Sequence, residues 1–469
     1  MHVFSYFNLK SYEFNLISRT VPLVESKYRK IVTKIPPQKT LECFSDISKN
    51  EPNSMLNELP VLWDHATGYQ IFDSSGNCWL DFTSGIFVTN VGHGHPKIIN
   101  RIKEILDKPL LHNYYFLSDI RRELTKKLIQ ITPNYLNKAF LLTTGSEAAE
   151  CALKITRIYG KKINPEKNII LSFDGAMHGK TLGSLMVGGK HKEKSWIGHL
   201  DPNILHLPFP FDGFCPWKNE FHECDEICFQ ESTKKISDKI DPNLIAGFFI
   251  ESYQGWGAMF YPKNYLKELV RFCKKYNILL IFDEIQSGFG RTGKLFAFEH
   301  YDVKPDIVCC GKGISSSLPL SVVLGRQELL NSDPSLNSTH GGNPLCCAAT
   351  LASLEVIESE NLIFESKRKG ILLEKYLENL QLKYRAIIKN ISGKGLIFAI
   401  HVINRNTHEL DSYFVDQIIE KCMEKGLLLV RTSSGTIKIG PPLSIPDDAL
   451  KEGIHIIDES ISELLNNYD

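Results

Sequence analysis

Three positions in the sequence combine residue types that could do chemistry together, because each stands at the end of a short apolar run. Lys312 lies between two glycines after one run, Asp283 is near the end of a second, and Gly145 with Ser146 follows a third. In open α/β sheets the carboxyl ends of parallel strands meet at one edge, and ligands bind there. The lysine, the carboxylate and the glycine-serine turn are therefore predicted to converge.

Each position also has an ordinary structural explanation when it is taken alone. Gly145 suits any tight strand-to-helix turn, Asp283 suits a helix N-cap or an ion pair, and Lys312 suits the protein surface. Together they provide a helix N-terminus for a phosphate, an acid that keeps a ring nitrogen protonated, and an amine that can form an imine. Partial burial makes such an amine less basic and a better nucleophile toward an aldehyde. Pyridoxal 5′-phosphate (PLP) requires this combination, so the residues predict a PLP site.

The elements that must position these residues alternate between β-rich and helical patterns. Six apolar runs predict strands that are buried on both faces of a mostly parallel sheet. They cover residues 138–144, 168–173, 245–251, 278–284, 306–311 and 320–325. An amphipathic pattern at 263–277 predicts a helix between two of these strands. The predicted fold class is therefore α/β.

The chain is long enough for one large domain with a smaller companion. We divide it into four predicted segments, which are an N-terminal arm (1–60), the N-terminal part of a small domain (61–90), a large PLP-binding domain (91–345) and a C-terminal small domain (346–469).

The charge balance favours small molecules as binding partners. The 54 basic and 54 acidic residues cancel, so the balance indicates neither nucleic acid nor an anionic membrane as a partner. No apolar run approaches the roughly 18–20 residues that cross a bilayer, and the start of the chain lacks the order of a secretory signal. Glu13 and the scarcity of arginine there argue against a transit peptide.

The cysteines favour a reducing compartment, and we predict a cytoplasmic protein. Twelve cysteines are few for a disulfide scaffold of this length. The adjacent pairs Cys309-Cys310 and Cys346-Cys347 have apolar neighbours, as is typical of packed free thiols.

Two segments contain potential metal ligands, but we predict no metal site. The first is "GHGHP" (92–96), with His93 and His95. The second has a spacing that is loose for a zinc motif, and its candidate ligands are Cys215, His222, Cys224 and Cys228.

Six segments, in their order and spacing, resemble the class III PLP-dependent aminotransferases. They are residues 81–96, 143–157, 175–185, 282–293, 309–313 and 338–358. The similarity extends from about residue 30 to the C-terminus, and the separation of Asp283 from Lys312 also fits the family. By this likeness the nearest relatives are the 4-aminobutyrate, ornithine and acetylornithine aminotransferases.

The resemblance implies a fold and an activity. The fold is the fold type I of PLP-dependent transferases, in which helices sandwich a mostly parallel seven-stranded sheet and a smaller α+β domain follows. The activity is a ping-pong reaction that moves an amino group from an amino acid or ω-amine to an oxo acid through a Schiff base.

The resemblance also implies roles for residues around the cofactor. Lys312 is expected to form the Schiff base and to move the proton of the substrate. Asp283 is expected to pair with the pyridine nitrogen, and Gln286 to lie within reach of the phenolic oxygen. Gly145 and Ser146 are expected to hold the phosphate.

Three further positions follow from the same resemblance. Thr339 is similar to a family threonine that reaches the phosphate of the neighbouring subunit, which implies a homodimer with shared active sites. Ile86 is expected to line the substrate pocket. Met177 stands where many relatives have an aromatic residue over the cofactor ring, and a thioether can still cover a ring face.

Some positions depart from the family pattern, and they are ones where the family recognises its substrate. Lys180 and Lys438 replace arginines that clamp the carboxylates of glutamate or 2-oxoglutarate, and lysine lacks their two-pronged geometry. Trp256 replaces a glutamate that pairs with the second of those arginines. We therefore expect that these dicarboxylates are not used in the usual way and that Trp256 narrows the pocket. Arg431 is a candidate for meeting a carboxylate instead, and the alternative is that it caps a surface strand.

Two other functions stay open from the sequence. The same fold and lysine serve amino-acid racemases and aminomutases, in which the amino group stays on the substrate or returns to it. A degenerate cofactor-binding or scaffold protein is the non-enzymatic alternative, although such a protein has no reason to retain the lysine, the aspartate, the glutamine and the phosphate turn together.

Overall fold

The computed structural model describes residues 12–211, 227–262, 264–432 and 434–466. The chain divides into two compact units. One, which we call the terminal unit, consists of Met1–His95 and Glu365–Asp469, and the other, the central unit, is Pro96–Phe364.

The strands and helices are labelled in chain order. The strands are β1 Val24–Glu25, β2 Lys30–Ile31, β3 His65–Thr67, β4 Gln70–Phe72, β5 Cys78–Asp81, β6 Lys138–Leu142, β7 Ile169–Phe173, β8 Ile204–Leu207, β9 Ile245–Glu251, β10 Leu279–Asp283, β11 Ile307–Cys310, β12 Ser321–Gly325, β13 Ile388–Lys394, β14 Ile397–Val402, β15 Leu427–Leu428, β16 Val430–Arg431 and β17 Thr436–Ile439. The helices are α1 Gln38–Asn50, α2 Ser84–Phe87, α3 Pro96–Leu106, α4 Asp119–Ile131, α5 Gly145–Ile163, α6 Leu182–Val187, α7 Ile227–Ser237, α8 Tyr265–Lys275, α9 Gln327–Leu330, α10 Pro344–Ser359, α11 Leu362–Lys383, α12 Ser412–Glu424 and α13 Asp447–Asn466.

A seven-stranded sheet forms the core of the central unit, in the order β6-β12-β11-β10-β9-β7-β8. Strand β12 is antiparallel to both of its neighbours, and the pairs from β11 through β8 are parallel. Every residue of β7 and of β9 through β12 is buried, which explains their continuous apolar sequences. The predicted α/β fold with a mostly parallel seven-stranded sheet is confirmed.

All six strands predicted by range are present in the central sheet, and the seventh strand of that sheet, β8, was missed. Strand β8 has only four residues, and His206 interrupts its apolar run. The helix expected at 263–277 is α8, and residue 263 lies outside the described residues.

Helix α5 packs closely on the central sheet at positions where glycine has no side chain. A Cβ atom at Gly160 would lie 2.2 Å from the backbone oxygen of Lys167 and 2.8 Å from Cβ of Ala246. A Cβ atom at Gly247, in β9, would lie 2.4 Å from Cγ2 of Thr156. These approaches fix the position of α5, and with it the start of the helix at Gly145.

The terminal unit contains two smaller sheets. One has the order β1-β2-β5-β4-β3 with β15 added beside β5, and the other is β13-β14-β17-β16. Helix α12 packs against β14 through β17, and α13 packs against α12. This mixture of helices and short strands agrees with the predicted α+β character of the smaller domain.

The four segments assigned by sequence stay a prediction, beside which the two compact units can be described. Helix α10, at the predicted start of the C-terminal domain, belongs to the central unit, where it packs against α3 and α4. The N-terminal segment that ends at His95 shares one unit with the C-terminal part of the chain, and β15 pairs with β5 within it. Within the described residues, no helix has the length and apolar character to cross a membrane.

Candidate functional site

The first turn of α5 is suited to binding an anion. Thr144 caps the helix, since its Oγ1 accepts the N–H of Glu147 at 3.2 Å. The Glu147 carboxylate in return accepts the N–H groups of Thr143 and Thr144, each at 2.8 Å. The next N–H groups, those of Gly145 and Ser146, belong to a helix start, where amides lack intrahelical acceptors and the helix dipole is positive.

The loop that follows β7 packs directly on this turn. Ser146 Oγ accepts the N–H of Lys180 at 3.1 Å. Gly179 has a φ of +143°, and a Cβ atom there would lie 2.5 Å from Ser146 Oγ. The loop can therefore follow this path only with glycine at position 179, and the same loop carries Met177 and His178.

Asp283, the last residue of β10, is held on both of its oxygens. Its Oδ2 lies 2.9 Å from Nδ1 of His178, and its Oδ1 accepts the N–H of Ile285 at 3.0 Å. The other ring nitrogen of His178 lies 3.3 Å from Oγ of Ser172. Asp283 and His178 are only 6% and 2% exposed, so the pair holds the carboxylate in one orientation inside the protein.

His178 is the residue of this site that the sequence analysis missed. A buried carboxylate needs a hydrogen-bonding partner, and the histidine beside Met177 was available to supply it. The two residues are 105 positions apart, so no local pattern connects them.

Lys312 occupies a turn with a left-handed backbone, with a φ of +46°. Its side chain is partly buried. Loss of hydration lowers the pKa of the Lys312 ammonium, and the carboxylates of Asp283 and Glu251 oppose that shift. The amine therefore loses its proton more easily than an exposed lysine does, which a nucleophilic amine requires.

The side chain of Ile285 lies between the three positions that the sequence predicted to converge. A Cβ atom at Gly145 would lie 3.1 Å from Cδ1 of Ile285, and one at Gly311 would lie 3.2 Å from its Cγ2. The N–H of Ile285 donates to Asp283. The start of α5, the residue before Lys312 and the Asp283 carboxylate thus surround a single isoleucine.

Two buried glutamates border this cluster. Glu251 ends β9 and pairs with Asp283 in the ladder between β9 and β10. Burial raises the pKa of Glu251 to about 7, and the nearby Asp283 carboxylate adds to the shift. Burial likewise raises the pKa of Glu284 to about 7, although its oxygens accept hydrogen bonds from Ser252 and Ser287.

Trp256 is fixed by hydrogen bonds in the turn after β9. Its indole N–H donates to Oε1 of Gln254 at 3.1 Å, and Nε2 of Gln254 donates to the backbone oxygen of Asp174 at 2.6 Å. A Cβ atom at Gly175 would lie 3.1 Å from the indole nitrogen. Nearby, Oε1 of Gln286 accepts the hydroxyl of Tyr253 at 3.3 Å.

The remaining predicted positions of the central unit are more open to solvent. Met177 is 36% exposed. Lys180 is exposed and pairs with Glu193, whose Oε2 lies 3.0 Å from its Nζ. Thr339 is exposed in the segment before α10.

Three predicted substrate residues belong to the terminal unit. Ile86 is 40% exposed on α2, a single turn in which all four residues have positive φ. Lys438 is buried, and its Nζ lies 4.2 Å from the ring centre of Phe87. Arg431 forms a two-pronged ion pair with Asp416, at 2.9 Å and 3.0 Å.

Arg431 also donates to two backbone carbonyls of the same unit. Its NH1 donates to Asn57 at 2.9 Å, and its NH2 donates to Tyr12 at 3.0 Å. The protein itself therefore engages this guanidinium, as expected of a structural residue.

Of the two segments with potential metal ligands, only the first lies wholly within the described residues. His93 forms a buried pair with Asp81, with 2.7 Å between Nε2 and Oδ2. Cys215, His222 and Cys224 lie outside the described residues. Across the described ranges no three histidine, cysteine or acidic side chains come together in a way that could hold a metal ion.

Comparison with known proteins identifies the family. The sequence model of the class III aminotransferases matches residues 53–461. This chain is a class III aminotransferase. The family consists of PLP enzymes, so the predicted family, activity and cofactor are confirmed.

Three similar proteins illustrate the range of the relatives. An acetylornithine aminotransferase from Methanocaldococcus jannaschii is 35% identical over 432 residues, which cover 90% of this chain and 99% of that one. An alanine/serine racemase from Pyrococcus horikoshii is 30% identical over 465 residues, 96% of each chain. A solved amine transaminase from an uncultivated Pseudomonas species, in its PLP-bound form, superposes with a TM-score of 0.81 at 26% identity and covers 86% of this chain and 95% of that one.

The residues present fit PLP. The cofactor needs a cradle for a phosphate, a carboxylate for its ring nitrogen and an amine for its aldehyde. The start of α5, Asp283 and Lys312 supply these groups around Ile285.

The two buried glutamates are expected to make the free energy of unfolding depend on pH. Glu251 and Glu284 both have a pKa of about 7 in place of the usual 4.5. A raised pKa means that the folded state holds the proton more tightly, so stability is complete below about pH 4.5 and is lost as the pH rises through about 7. Each group accounts for at most about 3 kcal/mol of this loss.

Urea unfolding of the cofactor-free protein at pH 5 and pH 8 checks this expectation. The loss of stability between the two pH values should shrink in Glu251→Gln and in Glu284→Gln, and most in the double variant. An unchanged loss in the double variant would show that other groups cause it.

Proposed function

We propose that this aminotransferase binds PLP at the carboxyl edge of the central sheet, with Lys312 as the residue that holds the aldehyde carbon of the cofactor. The observation that carries the proposal is the arrangement around Ile285, where the start of α5 and Gly311 pack on one side chain and Asp283 accepts its N–H. Bound PLP supplies an electron sink that makes a substrate C–H bond acidic.

Each residue of the cluster then has a defined task. The N–H groups of Gly145 and Ser146 hold the phosphate, and Asp283 accepts a hydrogen bond from the ring nitrogen. His178 fixes the orientation of Asp283. Lys312 Nζ, made less basic by burial, accepts the proton from the substrate carbon and returns it.

Further residues are proposed to border the cofactor and substrate. Met177 covers one face of the ring, and Gln286 reaches the phenolic oxygen. Trp256, whose indole N–H donates to Gln254, forms a wall of the substrate pocket. Arg431 is left outside the proposed pocket because Asp416 already engages it.

We also propose a homodimer whose partner approaches the central unit at Thr339. Five apolar side chains before α4 are well exposed, namely Leu110, Leu111, Tyr115, Phe116 and Leu117. Asn343 donates to the backbone oxygen of Leu111 at 2.8 Å, and the rings of His112 and His340 lie 5.0 Å apart. The exposed apolar run therefore lies beside Thr339, where a second subunit would cover both.

The proposed location is the cytoplasm. All cysteines in the described residues are free thiols, and free thiols are typical of a reducing compartment.

For the substrates, we propose that the site distinguishes only weakly between dicarboxylates and monocarboxylates. Lys180 is exposed and already paired with Glu193, and Lys438 is buried against Phe87. Neither offers the two parallel N–H groups with which arginine grips a carboxylate. Relatives named 4-aminobutyrate aminotransferase and 5-aminovalerate aminotransferase, at 30% and 34% identity, support ω-amino acids as candidate donors.

The role of Lys312 is tested by its spectroscopic signature. Protein loaded with PLP should show the absorption of lysine-bound cofactor, and borohydride should fix the cofactor on the peptide that contains Lys312. Lys312→Arg should lose that absorption and about 10³-fold or more of the activity. Lys304→Arg, an exposed position just before β11, is the control and should retain both. Labelling of another lysine in the wild-type protein would refute the assignment.

A reaction with a single substrate distinguishes amino transfer from racemisation. Racemisation is the alternative to test because this chain is similar to an alanine/serine racemase. With an amino acid and no oxo acid, we expect about one equivalent of product per site and then no further turnover, because the amino group stays on the cofactor. Chiral chromatography measures the outcome. Continuous formation of the opposite enantiomer would instead assign the racemase reaction.

The acceptor preference tests the carboxylate proposal. We expect kcat/KM for 2-oxoglutarate and for pyruvate to lie within about tenfold of each other. Lys180→Arg should raise only the value for 2-oxoglutarate, by about tenfold, since a charge-assisted two-pronged contact is gained. The neighbouring exposed Lys192→Arg serves as control and should change neither value. A strong preference for 2-oxoglutarate that survives Lys180→Ala would contradict the proposal.

A further inference from the structure

Glu251 connects two separate segments through their backbones. Its Oε2 accepts the N–H of Met177 at 3.2 Å, and its Oε1 accepts the N–H of Gly255 at 3.1 Å. Met177 belongs to the loop that carries His178, and Gly255 begins the short turn Gly255–Gly257 that has Trp256 at its centre. One carboxylate therefore holds two segments that are far apart in the sequence.

The position of Glu251 is itself well fixed. It is the last residue of β9, and its backbone oxygen accepts the hydroxyl of Tyr261 at 2.8 Å. A Cβ atom at Gly255 would lie 2.7 Å from Oε1 of Glu251, so the carboxylate lies directly against the backbone at this position. The side chain cannot move away without releasing the turn.

The turn is a closed loop. Gln254 and Met259 exchange backbone hydrogen bonds at 2.9 Å and 3.2 Å, and Ala258 has a φ of +47°. Because Trp256 lies inside this loop and bonds to Gln254, its indole moves with the loop as one body. The bond from Gly255 to Glu251 joins that body to the end of β9.

The charged and titratable groups that face Glu251 come from several elements. They are His178 on the loop after β7, Asp283 at the end of β10, Lys312 after β11, and the phenols of Tyr253 and Tyr261. Burial raises the pKa of Glu251 to about 7, and the two backbone N–H groups act in the opposite direction. Both the charged and the neutral carboxyl therefore occur near neutral pH.

The two forms differ in what they can accept. A carboxylate offers acceptors on both oxygens, whereas a protonated carboxyl uses one oxygen as an O–H donor. Only the ionised form can grip both backbone N–H groups with full strength, because hydrogen bonds to a charged acceptor are about twice as strong as neutral ones.

We propose that Glu251 is a positioning residue which, as a carboxylate, locks the Met177 segment and the Trp256 turn together at the end of β9, and which on protonation releases one of them. This inference rests on the proposed function, in which Met177 covers the cofactor ring and Trp256 forms one wall of the substrate pocket. A single proton on Glu251 then changes how firmly both residues are held. The N–H groups of Met177 and Gly255 lower the pKa of Glu251 against the effect of burial, so a carboxyl that stays buried but loses one of them binds its proton more tightly. The site therefore closes at alkaline pH and loosens at acidic pH, although ionisation of buried Glu251 lowers the stability of the folded chain relative to the unfolded one.

Hydrogen exchange of the cofactor-free protein, followed by mass spectrometry at pH 6 and pH 8, tests the inference. After correction for the intrinsic effect of pH on exchange, the peptides that contain Met177 and Gly255 should be about tenfold better protected at pH 8 than at pH 6. Glu251→Gln should abolish this difference. It should also leave one of the two segments poorly protected at both pH values, because an amide side chain has a single acceptor oxygen.

Glu284→Gln is the matched control. Glu284 is a second buried glutamate with a similarly raised pKa, but its backbone donors are Ala297 and Phe298 at 3.0 Å and 2.8 Å. Its replacement should loosen the 297–298 segment and preserve the pH effect at Met177 and Gly255.

A pH effect that persists in Glu251→Gln, or that Glu284→Gln removes equally, would overturn the inference. Because the measurement needs no PLP, its result is independent of whether Lys312 holds the cofactor, which borohydride labelling tests separately.

Discussion

The burial of charged side chains at one edge of the central sheet is the constraint on which the rest of this site depends. Asp283 is 6% exposed at the end of β10, and a carboxylate can remain there only with hydrogen-bonding partners. His178 and the N–H of Ile285 supply them. The same low-polarity surroundings lower the pKa of Lys312, so one physical condition produces both a fixed acid and a more reactive amine.

The sheet creates this condition through its topology. Strands β9, β10 and β11 are parallel and fully buried, so their carboxyl ends deliver Glu251, Asp283 and the Lys312 turn to one edge. Helix α5 brings its N-terminus to that edge because glycine at positions 160 and 247 lets it approach the strands. The proposed anion-binding turn and the proposed nucleophilic amine thus share an environment that is built by backbone geometry.

Sequence reasoning located most of the sheet and the main residues of the site, because both leave local signals. Strands buried on both faces produce continuous apolar runs, and a lysine, an acid and a glycine-serine turn at the ends of such runs are visible without coordinates. Strand β8 was missed because it has four residues and includes a histidine. Helix α10 joins the central unit through its packing on α3 and α4, and that packing has no signature in the sequence of the helix itself.

By itself, then, the sequence determined the fold class, the cofactor chemistry and the identity of the residues at the strand ends, since each depends on residue type and short-range pattern. Tertiary structure alone decided which partners those residues have. His178 reaches Asp283 across 105 positions, and Met177 reaches Glu251 across 74. Likewise, only the fold shows that Arg431 is engaged by Asp416. Such pairings arise when segments that are far apart in the sequence pack together, and the sequence pattern does not show which segments are close in space.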